Sequence, residues 1–181
     1  SIKGCILRPC SIIGEDAPGN LNRVIKVIEW GILPIFDGGL NRKSFIYVDD
    51  VVRGALVCAE RKQESNAKIY NLADSNSLQV IEFGKIFAEA LGKKPIILNL
   101  PKKLFLFFAN IWDYFAKFAN GKVPYLKRSL ITYCSDDTAN GNKIVQELGF
   151  DTTIPIEEGL KRMVMNYKTQ SLTSIRISND Y

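Results

Sequence analysis

The spacing of apolar residues changes within residues 42–59, from a strand pattern to a helix pattern. Residues 45–48 are all β-branched or aromatic, which is typical of a half-buried strand. From Val52 onward apolar residues recur every three or four positions, which indicates a helix with one buried face. Asp49 or Asp50 stands at the junction, where a carboxylate can cap helical N–H groups. The pattern therefore predicts a strand that turns directly into a helix.

The rest of the chain divides into further strands and helices by the same criteria. Extended segments are predicted at residues 4–8, 33–36, 67–72 and 95–100, and helices at residues 20–30, 75–91, 140–148 and 156–167. The first strand is nearly all apolar, which predicts burial on both of its faces. Residues 123–133 are predicted to be loop and strand, and residues 171–181 a disordered tail. Strands that alternate with helices predict an α/β fold.

The most apolar stretch is residues 104–119, which contains five phenylalanines. A membrane span needs about 20 nearly uncharged apolar residues. Asn110, Asp113 and Lys117 interrupt this stretch too early for that. Two alternatives stay open: an amphipathic helix of a protein in solution, which we favour, and a helix that lies in a membrane interface.

Composition narrows the function classes. With 24 basic and 19 acidic residues the net charge is +5, which is mild, and nucleic-acid binding normally uses a denser basic stripe. The chain has no histidine, and its four cysteines form no C-x-x-C pair. We therefore expect no nucleic-acid partner, no metal site and no histidine-based catalysis. Free thiols fit a reducing compartment, so a cytoplasmic location is expected.

Several short motifs follow one another in a fixed order. They are LRPCSIIG at residues 7–14, NL at 20–21, LPIF at 33–36, RKSFIYVDDV at 42–51, YNLA at 70–73, and a closing series of NK at 142–143, LGF at 148–150, Pro155 and EEGL at 157–160. Each motif is weak alone. Together they resemble the extended short-chain dehydrogenase/reductases, the group that includes the NAD-dependent sugar-nucleotide epimerases and dehydratases.

The resemblance implies which part of such a fold this chain forms. Residues 1–170 would be the C-terminal part of a Rossmann-like fold: the last sheet strands plus a smaller mixed α/β substrate-binding domain. The N-terminal dinucleotide-binding part would be absent, and we expect the chain to be the later part of a longer protein. The family's Gly-rich turn and Tyr-x-x-x-Lys pair do not occur, since no tyrosine has a lysine four positions later. We therefore expect no catalytic residue here, and no activity from this chain alone.

Binding roles are also implied by the resemblance. Pro9 and Cys10 would approach the nicotinamide of NAD or NADP, and Ser11 would contact the substrate. Asn20 and Leu21 would offer a polar group and backbone N–H groups at a helix start to a diphosphate.

The remaining implied contacts are with the base and phosphates of the substrate. Ile35 and Phe36 would pack on a uracil-like base, while Lys43 and Arg128 would contact phosphate. Phe36 as a core residue and Lys43 as a solvated charge are alternatives that stay open. Asp49 and Asp50 are expected to be caps and not acids or bases.

Three functions are compatible with these observations. The first is the substrate-binding portion of an NAD(P)-dependent sugar-nucleotide epimerase or dehydratase. The second is a sterol-type or other hydroxy-dehydrogenase relative with an apolar substrate. The third is a non-catalytic module that binds nucleotides or proteins.

Overall fold

The computed structural model describes residues 4–15, 20–116 and 126–179, and the elements below belong to that part of the chain. The strands are β1 (Ile6–Pro9), β2 (Ser11–Ile13), β3 (Ile32–Phe36), β4 (Arg42–Tyr47), β5 (Ile69–Leu72), β6 (Ser77–Gln79) and β7 (Ile96–Leu100). The helices are α1 (Asn20–Glu29), α2 (Val48–Glu60), α3 (Lys62–Ser65), α4 (Val80–Leu91), α5 (Lys102–Ala116), α6 (Leu126–Cys134), α7 (Asn142–Leu148) and α8 (Ile156–Asn179). The predicted α/β fold is confirmed, and so is the strand–helix junction at β4 and α2.

Most strand pairs are parallel. β1 pairs with β5, β2 with β4, and β3 with β7, each in parallel, while β6 pairs with β4 antiparallel. Parallel partners need long crossover connections, and the helices between the strands supply them. The carboxyl ends of β1 and β5 therefore meet at one edge, where Pro9 is in register with Leu72.

β4 separates two hydrophobic clusters. Phe45 and Tyr47 belong to a cluster with α1, α4 and α8, whereas Ile46 belongs to one with β5, α2 and α7. Successive side chains of a strand point to opposite faces, so this strand contributes to both clusters. It is buried from Lys43 to Tyr47, which explains why its sequence shows no polar alternation.

The first strand differs from its prediction. β1 was expected to be buried on both faces, but it is largely exposed, and 54% of the surface of Ile6 is accessible. In the described part of the chain β1 pairs only with β5. The prediction of two buried faces is wrong for β1, because in the described part of the chain Leu7 packs against the second hydrophobic cluster while Ile6, Arg8 and Pro9 stay exposed.

Two further segments differ from their predicted structures. Residues 126–134 form α6 and not loop and strand, because Leu130 and Tyr133 lie three positions apart and both pack inward on helical spacing. α8 continues to Asn179 instead of ending near Tyr167, so residues 171–179 are helical where a disordered tail was expected. A helix can propagate beyond its buried face because each added residue adds one backbone hydrogen bond.

The aspartates at the β4–α2 junction do not cap α2. The helix begins at Val48, before either aspartate, and Asp50 is fully buried. Its carboxylate accepts hydrogen bonds from Arg53 and from the backbone N–H groups of Thr153 and Ile154. The cap prediction is wrong for Asp50, which instead ties α2 to the loop before α8.

Candidate functional site

The chain crosses from one sheet to another at Cys10. Pro9 ends β1 and Ser11 begins β2, which pairs with β4 and not with β5. Between them the Cys10 N–H donates to the carbonyl of Leu72 over 2.9 Å. Ligands of open parallel sheets bind where neighbouring strands diverge at their carboxyl ends. Pro9, Cys10 and Ser11 thus lie together at a position suited to a ligand, which we call the strand junction.

The Cys10 thiol is neutral at physiological pH. Burial raises its pKa to about 12, and the carboxylates of Asp137 and Asp74 act in the same direction. A thiol is nucleophilic only as the thiolate. Cys10 therefore offers a small neutral surface to a ligand and not a nucleophile.

Lys43 lies in β4 and is 7% exposed. Its ammonium group donates to the carbonyl of Thr132, in the last turn of α6. Burial lowers the pKa of Lys43, while Asp137 and Asp136 act in the opposite direction. The alternative of a solvated charge is therefore excluded, because the amine is engaged inside the protein at a helix C-terminus, where cations are favoured.

An apolar groove of about 250 Å³ opens between α1, β3, α5 and α6. It is lined by Arg23, Val24, Val27, Pro34, Phe36, Phe105, Ser129, Leu130 and Tyr133. Three aromatic rings line one part of it in edge-to-face contact, since Phe36 lies 5.2 Å from Phe105 and 6.0 Å from Tyr133 between ring centroids. Among these lining residues Arg23 carries the one charge, and its guanidinium lies 3.4 Å from the Ser129 hydroxyl.

The structure places the other sequence-predicted residues around these two features. Ile35 is buried in the first core cluster, and Leu21 packs against the same cluster. Asn20 begins α1, and its side chain lies outside the described part. Arg128 is exposed near the start of α6. α6 links the groove to Lys43, because Tyr133 lines the groove and the preceding carbonyl binds the Lys43 amine.

Sequence reasoning missed Arg23 and Tyr133. Arg23 follows Asn20 by three positions on the same predicted helix, a spacing that places both on one face, so the sequence does place it beside a predicted site residue. Tyr133 lies in the segment whose helix was not predicted. It is anchored by a 3.0 Å hydrogen bond to the Pro34 carbonyl, and burial raises the pKa of its phenol well above the usual value.

The described residues contain no cluster of three or more side chains that could hold a metal ion. Within the same ranges, none of the helices is both long and apolar enough to cross a membrane.

The sequence of this chain is similar to those of several known proteins. A model of the NAD dependent epimerase/dehydratase family matches residues 1–73, which include the strand junction, β3 and β4. A 3beta-hydroxysteroid-dehydrogenase/decarboxylase of Arabidopsis thaliana is 27% identical over 90% of this chain and 40% of its own length. An N-acetyl-alpha-D-glucosaminyl-diphospho-ditrans,octacis-undecaprenol 4-epimerase of Escherichia coli O157:H7 is 25% identical over 87% of this chain and 47% of its own.

Solved structures agree on the fold. The UDP-glucose 4-epimerase of Thermotoga maritima, solved with UDP-glucose, superposes with a TM-score of 0.64 at 18% identity, over 93% of this chain and 47% of that one. The UDP-glucuronic acid 4-epimerase of Bacillus cereus, solved with NAD, gives 0.64 at 19% identity, over 92% of this chain and 45% of its own length. This chain thus spans less than half the length of these relatives. The resemblance to the epimerase/dehydratase family is confirmed, together with the Rossmann-like α/β fold.

Proposed function

We propose that this chain forms the substrate-binding part of an NAD(P)-dependent enzyme of the epimerase/dehydratase type, acting on a sugar carried by a nucleoside diphosphate. The observation that carries the proposal is the strand junction at Pro9, Cys10 and Ser11, which lies in the segment matched by the family model.

The strand junction is chemically compatible with a nicotinamide ring. When bound, NAD or NADP supplies the carbon that accepts or returns a hydride. Pro9 offers no N–H, and the Cys10 thiol stays protonated, since its pKa is about 12. Both residues can therefore border an electrophilic ring without adding to it. The Ser11 hydroxyl follows directly and can orient a sugar hydroxyl by hydrogen bonding.

The groove is suited to a flat heterocyclic base. Tyr133 and Phe36 line it, although Phe36 is also a buried core residue with 7% of its surface exposed, and Arg23 supplies a positive charge on the wall formed by α1. A base can stack on aromatic rings in a sequence-tolerant way, while the guanidinium can pair with a phosphate oxygen. Arg128 and the start of α1 at Asn20 and Leu21 are further phosphate candidates. Lys43 can join them only by exchanging the Thr132 carbonyl for a phosphate oxygen.

A second substrate class is favoured by the apolar walls of the same groove. Val24, Val27 and Leu130 line it besides the aromatic residues, and such walls also accept a hydrocarbon. Two relatives are named for apolar or lipid-linked substrates, a 3beta-hydroxysteroid and an undecaprenol-linked diphospho-sugar. The alternative is therefore a hydroxy-dehydrogenase or epimerase whose substrate carries an apolar group into the groove.

The test measures turnover of nucleotide-sugars and of a 3beta-hydroxysteroid by the longest natural form of the protein, with NAD or NADP. Phe36→Leu keeps an apolar side chain and removes the ring. We expect KM for the nucleotide-sugar to rise about tenfold or more with little change in kcat, because base stacking is lost. The matched control is Phe108→Leu, an exposed phenylalanine on α5 outside the groove, and it should leave KM unchanged.

Two outcomes would contradict the proposal. Turnover of the steroid and of no nucleotide-sugar would replace the sugar with the apolar substrate class. Absence of turnover and of NAD or NADP binding would leave a non-catalytic binding module as the better account.

A further inference from the structure

We propose that one face of α5 docks on the surface of a lipid bilayer that carries anionic lipids. The α5 outer face consists of Leu104, Phe107, Phe108, Ile111, Tyr114 and Phe115. At about 100° per residue, these six positions fall within about one third of the helix circumference. Ala109 and Ala116 are the buried positions of the helix and lie on the opposite side. α5 therefore turns these two small residues and the groove residue Phe105 toward the protein, and the large apolar residues of the outer face outward.

The exposure of this face is unusual for a helix in water. Phe107 is 60% exposed and Phe115 is 65% exposed. Isolated apolar residues on a surface are common, but a contiguous apolar patch normally marks an interaction site. The six residues of the α5 outer face are contiguous along about three turns of one helix. An apolar partner therefore fits this face better than solvent does.

The charges around the face indicate what kind of partner this is. The outer face itself carries none. Lys103 lies beside it on α5, and Lys127 and Arg128 lie on α6, which packs against α5. Lys102, in contrast, points inward and donates to the Cys134 carbonyl. The acidic residue of these two helices, Asp113, accepts a hydrogen bond from the backbone N–H of Lys127. Aromatic and aliphatic residues bordered by basic ones are typical of helices that lie in the plane of an anionic membrane surface.

Alternative occupants fit this charge distribution less well. A second copy of the same face would place lysines and arginines against each other, and like charges across an interface oppose association. In the described part of the chain α5 has 15 residues, fewer than a bilayer span needs, and its apolar side chains occupy one side, which favours an orientation along the interface. Tyrosine is well suited to that depth, and Tyr114 is 59% exposed.

The experiment is flotation of the full natural protein with vesicles of phosphatidylcholine alone or with about one third phosphatidylglycerol. We expect flotation with the mixed vesicles, weakened by salt because the basic residues contribute. Phe107→Glu combined with Phe115→Glu should lower the bound fraction about tenfold or more. Val52→Glu combined with Leu56→Glu is the matched control, since both residues are exposed to a similar degree on α2, and it should bind as the wild type does.

A second readout reports the position of α5 directly. The chain has two tryptophans, so Trp30→Phe leaves Trp112 of α5 as this chain's fluorophore. Its emission should shift to shorter wavelength when mixed vesicles are added. This readout remains usable if the paired glutamate variant fails to fold, because it needs only Trp30→Phe. Trp30 is exposed and distant along the chain from α5, so we expect that variant to fold.

Three results would overturn the proposal. The first is absence of both flotation and the emission shift at every lipid composition. The second is an equal loss of binding in the α2 control pair. The third is a concentration-dependent dimer that Phe107→Glu with Phe115→Glu abolishes, without vesicle binding by the wild type, which would identify a second copy as the occupant. None of these measurements requires turnover, so failure of the enzymatic proposal leaves this test intact.

Discussion

The buried carboxylate of Asp50 allows a quantitative prediction about stability. Its oxygens accept from Arg53 Nη1 at 2.7 Å, from the Thr153 backbone N–H at 3.0 Å and hydroxyl at 2.8 Å, and from the Ile154 N–H at 3.2 Å. Asp50→Asn retains the shape of the side chain but removes its charge and replaces one oxygen with a donor. The NH₂ group then faces groups that are themselves donors.

The size of the loss in stability depends on which hydrogen-bond partners of Asp50 can bind water instead. The Arg53 side chain is 43% exposed, so its guanidinium can be hydrated and contributes little. The Thr153 and Ile154 N–H groups belong to a partly buried loop, and one of them loses its acceptor. A buried group left without its partner costs about 1–3 kcal/mol, and the loss of a charged acceptor adds to this. We therefore expect Asp50→Asn to lower the free energy of unfolding by about 2–3 kcal/mol.

Urea unfolding of the wild type, Asp50→Asn and the control Asp49→Asn checks this value. Asp49 is exposed, so its substitution should change the free energy of unfolding by less than about 1 kcal/mol, the usual size of a helix-dipole effect. The denaturant slope should stay constant, since the folded structure is unchanged.

The pH dependence of this stability difference tests the role assigned to Asp50. Burial alone raises the pKa of Asp50, but the hydrogen bonds from Thr153, Ile154 and Arg53 together outweigh it and hold the pKa below its usual value. A carboxyl with a lowered folded pKa stabilises the protein fully above its unfolded pKa, and that contribution disappears as pH falls through the folded pKa. The difference between wild type and Asp50→Asn should therefore shrink below about pH 4. Equal effects of the two substitutions, or a difference that stays constant with pH, would refute the assigned role of Asp50.

Two further outcomes are expected from the packing around the strand junction. Gly141→Ala would place a Cβ 2.7 Å from the backbone oxygen of Ala73, so thermal unfolding should show a loss of about 1–3 kcal/mol in the free energy of unfolding. The control Gly4→Ala should be nearly neutral, because its Cβ meets nothing within 4 Å. Equal melting temperatures of the two variants would contradict this packing. Because the pKa of Cys10 is about 12, its thiolate fraction at pH 8 is about a thousandfold below that of a free cysteine, partly offset by greater intrinsic nucleophilicity. Iodoacetamide should therefore label Cys10 about 100-fold more slowly in the folded protein than in urea, as peptide mass spectrometry can measure, and equal rates would contradict its burial.

Local patterns in the sequence predicted the elements whose signals are themselves local. The β4–α2 junction is evident because the apolar period changes within a few residues. Gly92 and Gly149 end α4 and α7 in the left-handed conformation, with φ of 67° and 61°, as expected of glycine after a helix. The start of α4 differs from the predicted residue 75, because β6 occupies Ser77–Gln79 and the capping box of Gln79 with Glu82 starts the helix at Val80.

Features that depend on distant partners could not be predicted in this way. Asp50 contacts residues about a hundred positions away, and nothing near it in sequence distinguishes that role from a helix cap. The groove needs α1, β3, α5 and α6 to meet, so its lining could be inferred only where the family resemblance supplied a residue, as with Phe36. Tyr133 lacks that support, because the sequence predicts loop and strand where the structure has α6.

The parallel strand pairs described above have a consequence for how fast this protein folds. Ile6 pairs with Ile69, and Ile32 with Ile96, so each pair joins residues more than sixty positions apart. The entropy of closing such loops is lost before the strand contacts stabilise them, and chains dominated by distant contacts fold slowly. During that interval the apolar edge of β1 and the phenylalanines of α5 are exposed together. We therefore expect newly made protein to depend on chaperones or low concentration more than its mild net charge would suggest.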